Sequence, residues 1–231
     1  MALPVLAELC TSLGCELSPE QIALFEAYLD ALYAENEVRN LTRVPREEAE
    51  IKHLCDSVLG LDLIPYGSTV LDIGTGPGLP AWPLACARPD ISMMAADGSE
   101  RMFAPMRAVP LPNLYIEQLR GEDITLVEGY DVVIGRALAP LPIQLEVSAR
   151  PTKIGGLVIP FRSGSDWEEA ENLNIGQLGL ELEDLILREL PQESGQRLFP
   201  VYRKVRPTDP QFPRPWARMK AKPLRAKQSD S

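Results

Sequence analysis

Three glycines at positions 74, 76 and 78 follow directly on the apolar run Val70-Leu71-Asp72-Ile73. A carboxylate, Asp97, closes a second apolar run roughly 20 residues further on, the spacing at which an acid meets a ribose. Glycines at such a turn let backbone approach a ligand where a Cβ would collide. The following helix aims its N-terminus at the same place. Strand, glycine loop and spaced acid together predict a nucleoside-containing cofactor. The spacing is not the dinucleotide Gly-x-Gly-x-x-Gly, because Leu79 and Pro80 stand where the third glycine is due. Pro80 and Pro83 also remove two N–H donors from the helix start, where a pyrophosphate needs them. The pattern favours S-adenosylmethionine, which carries ribose and adenine but no phosphate. A tight strand-to-helix turn with no ligand is the alternative.

Other residues have chemistry of their own. Arg136 ends the almost purely apolar segment Tyr130–Ile134, and a charge at the mouth of a buried strand must find a partner. A cofactor carboxylate, an acid such as Asp72 and an RNA phosphate all remain open. Arg162 ends the next apolar run in the same way. Glu122 and Asp123 follow Gly121 after a third run, where an acid reaches an adenine amino group, a water, or only solvent. His53, Asp56 and Ser57 have the residue types of a hydrolytic triad. They fall within one helical turn, so their side chains leave one helix and cannot align as nucleophile, base and orienter. A hydrogen-bonded cluster fixing that helix is the expected role.

Elements of alternating period must position these residues. Residues 4–14 and 19–35 carry apolar groups at helical spacing, and Ser18-Pro19-Glu20-Gln21 reads as a capping box with proline in the first turn. A third helix is expected over 46–63, burying Ile51, Leu54, Cys55, Val58 and Leu61. From Thr69 strands and helices alternate: strands at 69–73, 91–96, 114–117, 130–135, 156–161, 181–188 and 197–205, helices at 80–87, 99–109 and 142–150. Alternation of this kind predicts an α/β fold with a mainly parallel sheet covered on both faces. Ligands then sit at the carboxyl ends of the strands. Gly74–Leu79, Asp97, the 119–123 loop, Arg136 and Arg162 all fall there. The division expected is a helical cap over 1–66, a cofactor domain over 67–206 and a basic tail over 207–231.

The chain has 231 residues, 45% of them hydrophobic, and a net charge of −10. That charge argues against a nucleic-acid binder until its distribution is read. Residues 203–231 hold nine lysines and arginines against two acids. A basic arm on an acidic body points to a polyanion partner, and Phe212 and Trp216 among the cations add stacking surface. From Pro207 onward the composition predicts a segment that orders on binding. Four scattered cysteines without a Cys-x-x-Cys pair, and a single histidine, predict reduced thiols in a cytoplasmic protein and no metal site. No apolar run has membrane-spanning length, and the N-terminus lacks the basic flank of a secretory signal. A methyltransferase acting on another substrate, and an RNA-binding protein on a vestigial cofactor fold, stay open as readings.

The constellation resembles the small-subunit ribosomal RNA guanine-N7 methyltransferases, the RsmG (GidB) family. The matching segments are Asn40-Leu41-Thr42, His53-Leu54-Cys55-Asp56-Ser57, Val70 to Pro80, Asp97, Arg120-Gly121-Glu122-Asp123 and Arg136-Ala137-Leu138-Ala139-Pro140-Leu141. Phe212-Pro213-Arg214 and Lys220-Ala221-Lys222-Pro223-Leu224 match in the tail. The resemblance implies a Rossmann-like class I methyltransferase sheet with an N-terminal helical extension. It implies transfer of a methyl group from S-adenosylmethionine to N7 of a loop guanine in 16S ribosomal RNA, on naked RNA or on a ribosomal particle. Gly74 and Leu79 would contact the cofactor, Gly76 and Gly78 would shape the loop, and Gly121 and Glu122 would meet the adenosine end. Arg136 would be a cofactor or catalytic contact, and Arg162, Arg214, Arg218, Lys220 and Lys222 would hold RNA. The chain departs from the family in the tail, where Ala217-Arg218-Met219 replaces a Gly-x-Pro, and after the fifth strand, where Arg162-Ser163 replaces Lys-Gly.

Overall fold

The structure is a computed structural model that describes residues 3–226. Seven strands form one sheet in the order β3-β2-β1-β4-β5-β7-β6. They are β1 (Thr69–Ile73), β2 (Ser92–Asp97), β3 (Leu114–Gln118), β4 (Tyr130–Arg136), β5 (Thr152–Ser163), β6 (Leu180–Glu189) and β7 (Gln196–Lys204). β1 to β5 run parallel, and β7 is antiparallel to both β5 and β6. The α/β expectation holds, with β5 beginning at Thr152 rather than 156. β1 and β4 lie in the middle and are covered on both faces. That is why they read as nearly continuous apolar runs. Strand order reverses at β1, whose neighbours are β2 and β4. The connections after β1 and β4 therefore diverge and leave a crevice at their carboxyl ends.

The N-terminal helices α1 (Pro4–Ser12) and α2 (Pro19–Arg39) pack into the same apolar cluster as one face of the sheet. α2 opens with the expected box: Ser18 Oγ accepts from the Gln21 amide, and Gln21 Oε1 accepts from the Ser18 amide. Gln21 Nε2 then donates to the Cys86 carbonyl at 2.6 Å, tying α2 to α4 (Ala81–Ala87). Trp82 of α4 is fully buried and stacks on Tyr28 at 4.3 Å with 10° between planes. Phe25 meets the same indole edge-on at 5.5 Å. The Tyr28 hydroxyl donates to the Pro77 carbonyl at 3.0 Å. The helical extension thus props up the glycine loop from behind.

The third helix is not the single helix that periodicity suggests. It is a 3-10 turn (Arg46–Glu48), a π-helical stretch (Glu50–Cys55), one α-turn, α3 (Asp56–Val58), and a further 3-10 turn (Leu61–Leu63). The extra residue in a π turn changes the phase of the side chains, a device common at functional sites. Leu54, Cys55 and Val58 stay in the core, while His53 and Asp56 reach the rim of a cleft. Glu50 caps α1 from here, accepting from the amides of Val5 and Leu6.

The described part of the tail is packed, which corrects the expectation that it awaits a partner to order. Phe212 is buried, and α8 (Trp216–Ala221) buries Met219 completely. The anchor is Glu146 of α6 (Leu141–Ala149), whose carboxylate is 1% exposed. It accepts from Arg214 Nε at 2.8 Å, from Arg214 Nη2 at 2.5 Å and from the Arg214 amide at 2.8 Å. Arg214 Nη1 donates to the Lys222 carbonyl. This arginine, assigned to RNA by resemblance, is engaged within the fold. Residues 227–231 of the basic tail, with Lys227, lie outside the described residues. Replacing one partner of a buried ion pair strands the other charge, at a cost of roughly 3–5 kcal/mol. Arg214→Ala is therefore expected to lower the urea midpoint strongly, and Glu146→Gln combined with Arg214→Met to recover much of the loss.

Candidate active site

β1 ends at Ile73, and Gly74 turns the chain back with φ +74°, where a Cβ would lie 2.5 Å from Leu138 Cδ1. The amides of Gly74 and Thr75 both donate to the Ala96 carbonyl, locking the loop to the end of β2. Asp97 sits at that end. Its carboxylate accepts from the Gly76 amide at 3.0 Å and from the Ser99 amide at 2.8 Å. A carboxylate has about four acceptor directions, so capacity remains for ribose hydroxyls. Gly78 has φ +108° and packs on Met106 and Trp82, so it shapes the loop without lining a cavity.

The start of α4 offers nothing to a phosphate. Pro80 and Pro83 have no N–H. The Ala81 amide donates to Asp72 Oδ2 at 3.2 Å, and the Trp82 amide to the Gly78 carbonyl. Asp72 is fully buried, and burial pushes its carboxyl up to about 6.

Three cavities run along the carboxyl edge of the sheet. The first, of about 340 Å³, is walled by Ile73, Gly74, Asp97, Gly121, Glu122 and Leu138, with Val147 and Trp216 closing it. The second, of about 350 Å³, shares Gly74, Asp97 and Leu138 and adds Leu41, Thr42, Gly76, Leu79 and His53. The third, of about 590 Å³, shares His53, Arg136 and Ala137 with the second and adds Lys52, Asp56, Arg162 and Arg197. Their shared walls set the three side by side: two of similar size, the first bearing Asp97 and Glu122, and a larger one with a cationic lining. Ala137 turns at the last junction with φ 53°, a strained backbone for a residue with a Cβ.

Arg136 finds its partner in Asp56, not Asp72. Arg136 Nη1 donates to Asp56 Oδ2 at 3.1 Å. Arg197 holds the same carboxylate from β7, with Nε to Oδ1 at 2.7 Å and Nη2 to Oδ2 at 3.1 Å. Asp56 is 7% exposed at its side chain. His53 and Asp56 are not bonded to each other, so the expected cluster is really three separate ties. His53 Nε2 meets Thr42 Oγ1 at 2.9 Å, and Ser57 Oγ donates to the His53 carbonyl at 2.6 Å. Thr42 Oγ1 also accepts from the Val44 amide. The Asn-Leu-Thr segment thereby acquires a physical reason: Asn40 ends α2 in the left-handed conformation and Thr42 orients the imidazole. Burial first, and the Arg136 charge second, push His53 down to about 4, so its ring is neutral at pH 7.

Arg162 lines the third cavity but is held there. It binds Asp166 through Nε at 2.8 Å and Nη2 at 2.7 Å, and its Nη1 reaches the Ala139 carbonyl and Gln144 Oε1. Gln144 in turn donates to the Gly135 carbonyl. This chain of bonds braces the segment carrying Arg136. Arg218, Lys220 and Lys222 are exposed. Sequence reasoning missed Arg197, 141 positions from its carboxylate, and did not place Trp216 at a cavity wall. Nothing local distinguishes Arg197 from any strand arginine. Trp216 stands out only as an aromatic among cations.

A mainly parallel sheet of this order with an antiparallel β7, a glycine loop after β1 and an acid at the end of β2, defines a Rossmann-like methyltransferase fold. Solved structures share it. A SAM-dependent methyltransferase from Aquifex aeolicus has a TM-score of 0.53 at 19% identity, covering 73% of this chain and 97% of that one. M. jannaschii TYW2 in complex with AdoMet also has 0.53, at 14% identity, covering 65% of this chain and 75% of that one. The family model for GidB, rRNA small subunit methyltransferase G, matches residues 21–195, and the chain belongs to this family. Relatives bearing the name Ribosomal RNA small subunit methyltransferase G include that of Carboxydothermus hydrogenoformans, 33% identical over 87% of this chain and 91% of its own. That of Bacillus subtilis is 31% identical over 87% and 90%.

Asp72 and His53 act on stability with opposite sign. The raised Asp72 carboxyl costs stability as pH rises from about 4 to 6, because the unfolded chain ionises first. The depressed His53 adds stability as pH rises from about 4 to 6.5, because only the unfolded chain then holds the proton. Each effect is at most about 3 kcal/mol. In urea titrations between pH 4 and 7, His53→Asn is expected to lose stability towards neutral pH relative to the parent. Asp72→Asn is expected to gain it.

Proposed function

We propose that this chain methylates N7 of a guanine in small-subunit ribosomal RNA, with S-adenosylmethionine in the two smaller cavities and the guanine in the larger, cationic one. The row of adjoining cavities carries this reading: the first is lined by the spaced acid Asp97, and the cationic one adjoins the second at Arg136 and His53. The residues fit the cofactor. Asp97 has acceptor capacity left, Gly121 and Glu122 line the same pocket, and Gly74, Gly76 and Leu79 line the second. The lack of free N–H at the start of α4 fits a ligand without phosphate. S-adenosylmethionine, when bound, supplies an electrophilic methyl group on a sulfonium.

Guanine N7 carries an in-plane lone pair and has no proton to lose, so no general base is required. The neutral, buried His53 accords with that. What remains is positioning and electrostatics. Arg136 is the catalytic contact proposed, lying where the second and third cavities adjoin. Asp56 fixes its guanidinium and offsets part of its charge, which matters because positive charge moves onto the guanine during transfer. Arg197 presses on the same carboxylate from the far wall. Lys52, Arg136, Arg162 and Arg197 against Asp56 and Asp166 leave this cavity cationic on a chain of net charge −10. A base splayed from a loop and held beside phosphates suits that cavity.

The proposed RNA grip outside the cleft is Arg218, Lys220 and Lys222, with Arg214 and Arg162 holding the frame. Removing the whole tail does not isolate this role, because Trp216 walls the first cavity. Charge reversal does. Arg218→Glu, Lys220→Glu and Lys222→Glu together are expected to leave affinity for S-adenosylmethionine within about threefold, and to cut rRNA methylation more than tenfold. The salt slope of RNA binding should fall by about one for each phosphate no longer neutralised. Unchanged methylation in the triple variant would refute the grip.

The cofactor assignment is tested by calorimetric titration with S-adenosylmethionine beside NADH. Binding of the first alone is expected, with Asp97→Ala weaker by at least tenfold. Binding of NADH would overturn the assignment.

A further inference from the structure

Trp216 of the tail does not face solvent with its cationic neighbours. Trp216 walls the first cavity together with Asp97, Gly121 and Val147. It is half-buried and packs on the apolar cluster beneath α6 and the sheet. Three residues further along α8, Met219 is completely buried, so these two share the inward face. Arg218, Lys220 and Lys222 point outward. α6 supplies both the anchor for this segment, Glu146 to Arg214, and a cavity wall, Val147. The indole is therefore held beside the pocket by a buried ion pair rather than left there by chance.

We infer that Trp216 is the aromatic wall of the adenine site, and that the segment from Phe212 to Lys222 is a strap whose closure couples cofactor binding to the cationic face. This rests on the cofactor reading above. The other walls of that cavity are aliphatic side chains, glycines and polar or charged groups, so Trp216 is the one planar aromatic surface lining it among the described residues. A purine stacked on an indole gains favourable offset-face contact and sheds water from both faces. A ligand that binds better when the strap is docked must stabilise the docked strap by the same factor. The outward cations are on that strap. The free energy that orders Trp216 over the nucleoside thus also fixes Arg218 and Lys220 in place for a phosphate backbone. By linkage, the polyanion tightens the cofactor in return.

The test uses the full chain and S-adenosylhomocysteine, with adenosine as the half-ligand, measured by calorimetry. Trp216→Ala is expected to weaken both by tenfold or more, in the same ratio, because the stacking it removes is at the nucleoside. Trp216→Phe keeps an aromatic face and should stay within about threefold of the parent. In limited trypsinolysis, S-adenosylhomocysteine is expected to slow cleavage after Arg218 and Lys220 at least threefold in the parent and not in Trp216→Ala. The protection assay on the parent does not depend on the alanine variant folding. Parental affinity in Trp216→Ala, or cleavage rates in the parent indifferent to ligand, would overturn the strap and leave the cofactor reading intact. Failure of the parent chain to bind S-adenosylhomocysteine would overturn both.

Discussion

The Asp56 carboxylate is the interaction on which the rest of the site depends. It lies almost fully buried between two guanidiniums, Arg136 from the end of β4 and Arg197 from β7. Three parts of the chain, far apart in sequence, are thereby fixed at one point of the cleft. A lone carboxylate at that depth would be expensive, and so would either arginine in a half-buried strand mouth. Each makes the others tolerable. The same contact sets the direction of Arg136, which lines two adjoining cavities. The π-helical stretch before Asp56 belongs to this arrangement. Its residue His53 and the following Asp56 reach the rim, while Leu54 and Cys55 remain in the core.

Support for the cofactor end comes from a different direction. Tyr28 and Trp82 stack behind the glycine loop, and the Tyr28 hydroxyl holds the Pro77 carbonyl. The N-terminal helices share their apolar core with the sheet. They act as the wall that keeps the loop in its left-handed turns. Asp97 closes the loop from the front by accepting the Gly76 amide. The glycine-loop side of the pocket is therefore held by contacts within the fold, which lowers the ordering cost of binding there.

Much of this is legible in the sequence because local rules carry it. Apolar runs with the right length and turn residues locate the strands to within a few residues, and Ser18 with Gln21 marks the start of α2. The glycine loop, Asp97 and the strand-end arginines fall where parallel sheets place ligands. Other features are set by tertiary contacts that no local pattern encodes. A helical period over 46–63 gives no hint of a π turn, since both register as apolar spacing. Asp72, nearer along the chain, reads as a natural partner for Arg136. Yet Asp72 is occupied by the Ala81 amide beneath the loop, and the distant Asp56 faces the cleft. The tail reads as a charged, proline-rich arm because composition counts its cations and not the single buried carboxylate, Glu146, that docks it.

Methyl transfer to guanine N7 in small-subunit ribosomal RNA can be read from the position of a transferred label. Small ribosomal particles, and deproteinised RNA beside them, would be incubated with the protein and methyl-labelled S-adenosylmethionine. The RNA would then be cleaved chemically at N7-methylguanine. Label in small-subunit RNA and one new cleavage at a loop guanine are expected, both abolished in Arg136→Ala. Label on another base or atom, or incorporation unaffected by Arg136→Ala, would contradict this reading.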